Sequence, residues 1–314
     1  MRLLGIFGIR AGLRGRRDGG SCQSRARMPA PLLVVDAPSL LYRAFFALPK
    51  SITGADGRPV NALLGMANLV LWVVERHAPR AVVLCTGAEA ATYRTALYPG
   101  YHADRPPVPD ELAPQWADAP AFFGAFAWTW LDAGDLEADD LLGALALAEA
   151  EAGGETLLFT GDRDMFQCVD EHTRVLFPRG GKEGPELVDV DGVRERYGIH
   201  PGQVPDFIAL RGDPSDGLPG AKGIGEKTAG ELLRAHGDLE GLIAAADAQR
   251  PRVAAALRDQ ADELRAFRKI ATLQPIDVAC PSDAPTDAAA AARAASERGM
   301  GRLAGRLEAL AGQA

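Results

Sequence analysis

The sequence predicts an α/β fold in which a mostly parallel central sheet is flanked by helices and followed by a smaller helical subdomain. Three short apolar runs, at residues 32–35, 81–85 and 156–159, alternate with helical segments, which is the pattern of a doubly wound sheet. Each run is continuously apolar, as in parallel strands that are buried on both faces. After about residue 203 the chain becomes helical.

The predicted elements of the sheet region follow one another in a regular order. The first strand ends in Asp36 and is followed by helices at residues 39–48 and 61–77. The second strand precedes a segment without regular pattern, and an alanine- and leucine-rich helix at residues 137–152 leads into the third strand. Ligands bind such sheets at the carboxyl ends of the strands, so the residues that follow each strand are candidate site residues.

Composition divides the chain into four parts. Residues 28–200 form the predicted α/β core, within which residues 87–110 are an aromatic, basic and proline-containing insertion typical of a functional loop or a linker. Residues 201–280 form the helical subdomain, and residues 281–314 form an alanine-rich helical tail that is expected to be solvated. The predicted core is long enough to bury one hydrophobic interior.

The first 27 residues form a basic tail with seven arginines, one aspartate and a net charge of about +6. Its apolar stretch is too short and too interrupted by glycine for a signal sequence or a membrane span. Three explanations stay open: Met28 is the true start, the tail is an arm that touches nucleic acid, or it is a targeting signal. We leave the tail out of the predicted fold as disordered or wrongly assigned.

Charge and cysteine content limit the functional classes. The net charge is −8, and the remaining chain carries −14 once the +6 of the tail is removed. An acidic chain disfavours a nucleic-acid partner at first sight. However, many of its acids cluster in short motifs that a divalent cation would neutralise, and net charge does not reveal a local basic groove. The four cysteines show no CxxC pairing, which argues against zinc and disulfides and favours the reducing cytoplasm.

Acidic residues are concentrated after the predicted strands and at the starts of helices and turns. They are Asp36, Glu137, Asp139, Asp140, Asp162, Asp164, Asp213 and Asp216. A single acid at such a position is usually a helix cap or a solvated group. Eight acids at one sheet edge would repel one another and raise their own pKa values unless cations occupied the site. Mg²⁺ suits carboxylate oxygens, and two such ions would promote phosphodiester hydrolysis.

A glycine-rich turn follows the last two of these acids. Residues 219–227 place Gly223 and Gly225 beside Lys222 and Lys227, just before a predicted helix. Such a turn presents backbone N–H groups to a phosphate, and its contacts are independent of base sequence. Taken by itself, the turn is also compatible with a simple corner between two helices.

Several motifs together resemble the bacterial 5′-nuclease family, which includes the N-terminal 5′-3′ exonuclease domain of DNA polymerase I and the flap endonucleases. The matching segments are residues 33–36 with 42–45, 93–107, 137–140, 160–164 and 212–228. They occur in the order typical of the family within residues 32–273. The resemblance implies a PIN-like 5′-nuclease core and a helix-hairpin-helix subdomain that binds DNA.

The resemblance also implies roles for individual residues. The eight acids would hold two Mg²⁺ ions, with Mn²⁺ as a substitute, and K⁺ is an option at the helix-hairpin-helix. Tyr42 and Arg43 would lie near the scissile bond, Arg94 and Arg105 in a helical arch would steer the 5′ strand, and His102 aligns with the arch lysine of the family. Without a following polymerase domain, the chain is expected to act as an independent 5′-3′ exonuclease and 5′ flap endonuclease.

Two departures from the family pattern leave alternatives open. Gly87 stands where the family has an aspartate ligand, and Glu89 is a candidate to replace it. His102 brings less charge than the lysine of the family. The expected partner is DNA with 5′ ends, flaps or nicks, with RNA primers as an option and no membrane. The alternatives are a catalytically weakened relative that binds branched DNA and a nuclease that cuts RNA.

Overall fold

The structure is a computed structural model that describes residues 30–180 and 183–312, so the expectations for residues 1–27 lie outside the described residues. Its core is a sheet with the strands β1 (Leu32–Asp36), β2 (Ala81–Thr86), β3 (Thr129–Asp132), β4 (Thr156–Phe159), β5 (Thr173–Phe177) and β6 (Glu186–Val188). Their order is β3-β2-β1-β4-β5-β6, and all neighbours are parallel except β5 and β6. The predicted mostly parallel α/β fold is confirmed.

Helices cover both faces of this sheet. They are α1 (Ala37–Ala47), α2 (Asn61–His77), α3 (Thr92–Leu97), α4 (Ala113–Gly124), α5 (Ala138–Glu151), α6 (Val190–Tyr197), α7 (Val204–Arg211), α8 (Glu226–His236), α9 (Leu239–Ala244), α10 (Pro251–Asp259), α11 (Ala261–Ala271), α12 (Ala288–Glu297) and α13 (Gly301–Ala311). One apolar core joins the sheet to α1, α2, α4, α12 and α13, and the other joins it to α5 and the α7–α11 subdomain. None of the described helices is long and apolar enough to cross a membrane.

The central strand β1 determines where a site can form. All five of its residues are buried, because β2 and β4 flank it and helices cover both faces. The chain runs from β1 to β2 and β3 on one side of the sheet, and from β4 to β5 on the other side. A crevice therefore opens at the carboxyl ends of the neighbouring strands β1 and β4. Asp36 ends β1, and the loop that begins with Thr160 follows β4. The Thr160 hydroxyl donates a hydrogen bond of 2.6 Å to Asp36 across this crevice.

Two parts of the fold differ from the sequence-based expectation. The strands β3, β5 and β6 were not predicted; β3, for example, is a four-residue edge strand without a fully buried side chain and therefore lacks an apolar run. The alanine-rich tail is not solvated either, because α12 packs on α13 and α4. Ala291, Ala295, Leu303 and Leu307 are buried there, and small alanines at helical spacing allow this close packing.

The insertion at residues 87–110 folds against the helical subdomain. It contains the short helix α3, and its Tyr98 packs edge-on against Phe267 of α11 with ring centroids 5.1 Å apart. Its Gly100 meets a turn at residues 213–218. At Gly217, where φ is +75°, an added Cβ would lie 2.5 Å from the Gly100 carbonyl oxygen, so this contact requires glycine. The insertion is thereby attached to the turn that carries two of the predicted site acids.

Candidate active site

Asp36 lies at the crevice between β1 and β4 and also begins α1. One carboxylate oxygen accepts a hydrogen bond of 3.0 Å from the Ser39 backbone N–H, and the other accepts the hydrogen bond from Thr160. Burial raises the pKa of Asp36, while these two hydrogen bonds oppose the rise. The residue is therefore a helix cap that also borders an open cleft of about 800 Å³.

Three further aspartates face the same region from α5 and from the loop after β4. Burial raises the pKa of Asp162 to about 7, and repulsion from Asp216 and Asp36 adds to the rise. Burial likewise raises the pKa values of Asp139 and Asp164 well above their usual range, and the Asp162 carboxylate raises both further. Carboxylates from separate elements thus repel one another across a shared space, and a bound cation would relieve this repulsion.

A tight turn supplies the last two acids. Asp213 and Leu218 exchange two backbone hydrogen bonds of 2.8 Å, which closes the turn at residues 213–218. The Asp213 carboxylate accepts hydrogen bonds from the Ser215 backbone N–H at 2.8 Å and from the Arg211 guanidinium at 3.0 Å. Asp213 and Asp216 both line the cleft that Asp36 and Asp162 border. The structure therefore brings six of the eight predicted acids to one edge of the sheet.

His102 is held at the junction of the insertion and this turn. Its Nε2 lies 3.0 Å from an Asp216 carboxylate oxygen, and its Nδ1 lies 2.8 Å from the Glu89 carbonyl oxygen. The ring also stacks on Tyr101, with centroids 4.0 Å apart. Both ring nitrogens thus face oxygen atoms of the chain itself. The predicted contact of His102 with the scissile phosphate stays a prediction.

Arg94, Glu137 and Asp140 form a buried cluster behind the open acids. The Arg94 side chain is 3% exposed, and its guanidinium lies 2.9 Å from Glu137 and 2.8 Å from Asp140. Glu137 also accepts hydrogen bonds from the Ala91 backbone N–H at 2.7 Å and from the Tyr101 hydroxyl at 2.8 Å. The buried guanidinium pairs with these two acids, and the role of Arg94 in steering the 5′ strand stays a prediction. Glu137 nevertheless lines a small cavity together with Asp139, Asp162 and Asp216, whereas Asp140 is fully buried.

Gly87 is tightly enclosed at the place where the family pattern has an aspartate. An added Cβ would lie 2.4 Å from the Leu136 carbonyl oxygen and 2.9 Å from the Glu137 carbonyl carbon. Since both neighbours are backbone atoms of the loop that leads into α5, a side chain at this position requires that loop to move. Glu89 is exposed, and its carbonyl oxygen rather than its carboxylate contacts His102. Replacement of the missing ligand by Glu89 stays a prediction.

Tyr42 and Arg43 face different grooves although they are neighbours on α1. Tyr42 lines the cleft together with Arg105. Arg43 borders a separate cavity, whose walls include Trp72 and Arg179. One residue turns an α-helix by about 100°, so consecutive side chains point in different directions. Arg43 thus lies outside the cleft that Tyr42 lines, and its position near the scissile bond stays a prediction.

Two arginines in the cleft were not predicted from the sequence. Arg163 lies between Asp162 and Asp164, and Arg211 lies two residues before Asp213. Both line the cleft, together with Arg105. The signal in the sequence was a basic residue beside each pair of acids.

The glycine-rich turn is exposed at the start of α8. Lys222, Gly223, Gly225 and Lys227 are the residues predicted to bind DNA; the first three are exposed, and Lys227 is exposed within the first turn of the helix. The Lys222 backbone N–H donates a hydrogen bond of 2.8 Å to the Gln260 side chain. An added Cβ at Gly223 would lie 2.5 Å from Nε of Arg252, so a further guanidinium lies directly over the turn.

Comparisons with known proteins match both parts of the chain. Residues 31–198 match the model of the 5′-3′ exonuclease N-terminal resolvase-like domain, and residues 199–293 match that of the 5′-3′ exonuclease C-terminal SAM fold. A 5′-3′ exonuclease of Streptomyces coelicolor is 38% identical over 253 residues, which cover 76% of this chain and 83% of that protein.

Longer relatives and solved structures agree with this assignment. DNA polymerase I of Mycobacterium bovis is 38% identical over 239 residues, which cover 76% of this chain and 26% of that protein, so the match spans about a quarter of the relative. A structure of T5 5′-exonuclease with bound zinc has a TM-score of 0.63 at 14% identity, covering 90% of this chain and 99% of that chain. The resemblance inferred from the motifs is confirmed: the chain belongs to the 5′-3′ exonuclease family.

Proposed function

We propose that this protein is a Mg²⁺-dependent 5′-3′ exonuclease and structure-specific 5′ flap endonuclease that hydrolyses DNA phosphodiester bonds in replication or repair. The observation that carries the proposal is the group of acids at the crevice, where burial raises the pKa values of Asp36, Asp139, Asp162 and Asp164. Arginines line the same cleft. Carboxylates for cations beside guanidinium groups for phosphate suit phosphodiester cleavage. The relatives are bacterial, so we assign the protein to the cytoplasm.

The donor set fits hard divalent cations. Two Mg²⁺ ions, or Mn²⁺ in their place, would be held by Asp36, Asp139, Asp162, Asp164, Asp213 and Asp216. These ions would supply an activated water and compensate the charge of the leaving oxygen. Among residues 30–180 and 183–312, no three acidic, histidine or cysteine side chains converge closely enough to form a ready-made ion site.

The arginines of the cleft would bind and orient the phosphate backbone. Arg211 already pairs with Asp213 at 3.0 Å and with Glu226 at 3.4 Å, so we assign it mainly to holding the acid-bearing turn. Arg163 is exposed and makes no ion pair within the part of the chain that the structure describes. We therefore assign the contact with the scissile strand to Arg163 and Arg105. A guanidinium is suited to this role because it can donate two hydrogen bonds to one phosphate.

Duplex binding is assigned to the turn before α8. Its exposed glycines allow a phosphate to approach the backbone, Lys222 and Lys227 add positive charge, and K⁺ is a candidate bridging ion there. Arg252 would add a further positive charge, since its guanidinium lies over Gly223. Such contacts position a duplex without reading its sequence. The substrates proposed are 5′ ends, flaps and nicks, including the ends of RNA primers.

Lys227→Ala is expected to weaken duplex binding about equally for all DNA sequences, because its ammonium would contact phosphate and not bases. The slope of log affinity against log salt concentration should decrease in magnitude by about 1. Fluorescence anisotropy with two unrelated duplexes at several salt concentrations measures both quantities. Lys269→Ala, at an exposed position near the end of α11, is the matched control. A loss confined to one of the two DNA sequences would contradict the assignment.

The protein without divalent metal is expected to lose stability as pH rises through the neutral range. Asp162 has a folded-state pKa of about 7, above the unfolded value of about 3.9, so the folded state binds more protons between these values. The free energy of unfolding therefore falls between about pH 4 and pH 7. Addition of Mg²⁺ should raise the melting temperature more at pH 8 than at pH 5.

Differential scanning fluorimetry with EDTA and with Mg²⁺ tests this dependence. Asp162→Asn removes one of the repelling carboxylates, so this variant should be more stable than the wild type at pH 8 in EDTA. Its response to Mg²⁺ should also be smaller. An equal Mg²⁺ response of the wild type at both pH values would contradict the assignment of the acids to cation binding.

A second function is favoured by Gly87: a catalytically weakened relative that binds branched DNA. The enclosure of Gly87 by Leu136 and Glu137 leaves no room for the aspartate of the family pattern. Incubation of a 5′-labelled flap duplex with Mg²⁺, with Mn²⁺ and with EDTA separates the two functions. Metal-dependent release of a short 5′ product supports the nuclease. Binding of the flap without cleavage under either metal would support the weakened relative.

A further inference from the structure

Two buried threonines flank β4 and differ in what their hydroxyl groups contact. Thr156 begins the strand and Thr160 directly follows it, and both are almost fully buried, at 1% and 0% exposure. The Thr156 hydroxyl makes no hydrogen bond within the described part of the chain. The Thr160 hydroxyl makes two hydrogen bonds, and both lead to acids of the crevice. The two residues therefore offer the same chemistry with and without a link to the site.

The Thr160 hydroxyl is both a donor and an acceptor. Its O–H donates at 2.6 Å to a carboxylate oxygen of Asp36, which ends β1. Its oxygen accepts at 3.0 Å from the backbone N–H of Asp162, which lies in the loop after β4. Because a hydroxyl has one proton, the carboxylate receives that proton and the backbone N–H is left to meet a lone pair. One side chain thus fixes the Asp36 carboxylate relative to the backbone that carries Asp162.

A second hydroxyl joins the same two segments. Ser39, in the first turn of α1, accepts a hydrogen bond of 3.1 Å from the Gly161 backbone N–H. Its own backbone N–H donates at 3.0 Å to the Asp36 oxygen that Thr160 does not contact. Each oxygen of Asp36 therefore accepts one hydrogen bond from the chain and keeps a further lone pair for a cation. The start of α1 and the loop after β4 are thereby held together at the crevice.

We propose that Thr160 is a positioning residue that holds Asp36 and Asp162 in the arrangement required for cation binding. This inference rests on the proposed function and deepens it by naming the group that orients two of the assigned metal ligands. A hydrogen bond to a metal ligand fixes its orientation, and loss of such a bond lowers metal affinity by about 10- to 100-fold. Thr160→Val removes both hydrogen bonds while a side chain of similar shape fills the same space.

Binding of Mn²⁺ in the absence of DNA tests this role independently of cleavage. Electron paramagnetic resonance of the free ion measures the affinity of the protein for Mn²⁺. Thr160→Val is expected to bind Mn²⁺ at least about tenfold more weakly than the wild type, and Thr160→Ser, which keeps the hydroxyl, should restore most of the affinity. Thr156→Val is the matched control, because it makes the same change on the same strand at a hydroxyl without a partner. It should bind Mn²⁺ as the wild type does.

A double-mutant cycle shows whether the effect passes through Asp36. In Asp36→Asn the hydroxyl has no carboxylate to orient at this position, so the addition of Thr160→Val should weaken Mn²⁺ binding much less than it does in the wild type. Thr160→Ala, which also lacks the hydroxyl, gives the same test if Thr160→Val does not fold. An equal loss in both backgrounds, or a loss that Thr160→Ser does not restore, would overturn the proposal and indicate a packing defect. Unchanged Mn²⁺ affinity of Thr160→Val would overturn it as well.

The wild type separates this inference from the proposed function. Wild-type protein that binds Mn²⁺ but does not cleave a 5′ flap would refute the nuclease function, while the effect of Thr160→Val on Mn²⁺ affinity would still support the positioning role. Wild-type protein that cleaves the flap, with a Thr160→Val variant of equal Mn²⁺ affinity, would refute the positioning role alone. Wild-type protein that binds no Mn²⁺ would refute the cation site and the positioning role together.

Discussion

Asp139→Asn is expected to reduce metal-dependent cleavage of a 5′ flap by more than about 100-fold while leaving flap binding in EDTA largely unchanged. Loss of a group that only orients a metal ligand costs up to about 100-fold, so loss of a ligand should cost more. Asp139 suits the ligand role because burial and the charges of Asp162 and Asp36 raise its pKa, and a cation would remove this repulsion. The phosphate contacts that we assign lie elsewhere, on Arg105, Arg163 and the turn before α8.

The measurement pairs single-turnover cleavage at saturating protein with anisotropy of the same flap in EDTA. Asp135→Asn is the matched control, because Asp135 is exposed and lies only four residues earlier in the chain. It should cleave at the wild-type rate. If Asp139→Asn cleaves within a few-fold of the wild type, Asp139 is not a ligand. If it loses flap binding in EDTA to the same extent as cleavage, the residue supports the structure of the cleft and not the chemistry.

The sequence predicted the position of the site better than the orientation of its side chains. Acids at strand ends can be assigned to a site from the sequence, because a parallel sheet brings the carboxyl ends of its strands to one edge. Two apolar runs were therefore enough to assign Asp36 and Asp162 to the same site. The direction of a helical side chain depends on what packs against it. Glu137 and Asp140 were expected on one helical face, and they do lie together, but Arg94 occupies that face.

Long-range partners account for the remaining differences. Arg94 precedes Asp140 by 46 residues, and no local pattern indicates that its guanidinium turns inward. Local composition also suggested a solvated C-terminal tail, since alanines carry little hydrophobic signal, yet Ala291 and Ala295 are buried once α12 meets α4 and α13. Arg163 was missed for a different reason: in the sequence, it appeared only as a spacer between two acids.

Arg94→Met is expected to lower the free energy of unfolding by about 3–5 kcal/mol, the typical cost of removing one partner from a buried ion pair. The Arg94 guanidinium donates hydrogen bonds to Asp140 at 2.8 Å and to the Ile270 carbonyl oxygen at 3.0 Å, so it joins α3 to α5 and α11. Its loss leaves two carboxylates without a counter-charge, and Asp140 is fully buried. Chemical denaturation of the wild type and of Arg94→Met measures the difference, with Arg302→Met at an exposed position as the control.

The pH dependence of this loss separates the missing charge from a packing defect. Burial raises the pKa of Asp140, and Arg94 opposes the rise, so in Arg94→Met the folded-state pKa should increase further. A carboxyl group with a raised folded-state pKa stabilises the folded state at low pH, and this stabilisation is lost as pH increases. The destabilisation caused by Arg94→Met should therefore be larger at pH 8 than at pH 5. Adding Glu137→Gln and Asp140→Asn to Arg94→Met should restore part of the stability, because neutral amides need no counter-charge. A defect that is independent of pH and insensitive to these changes would indicate that Arg94 contributes through packing, and the cluster would then be a structural support of α3 and not an electrostatic one.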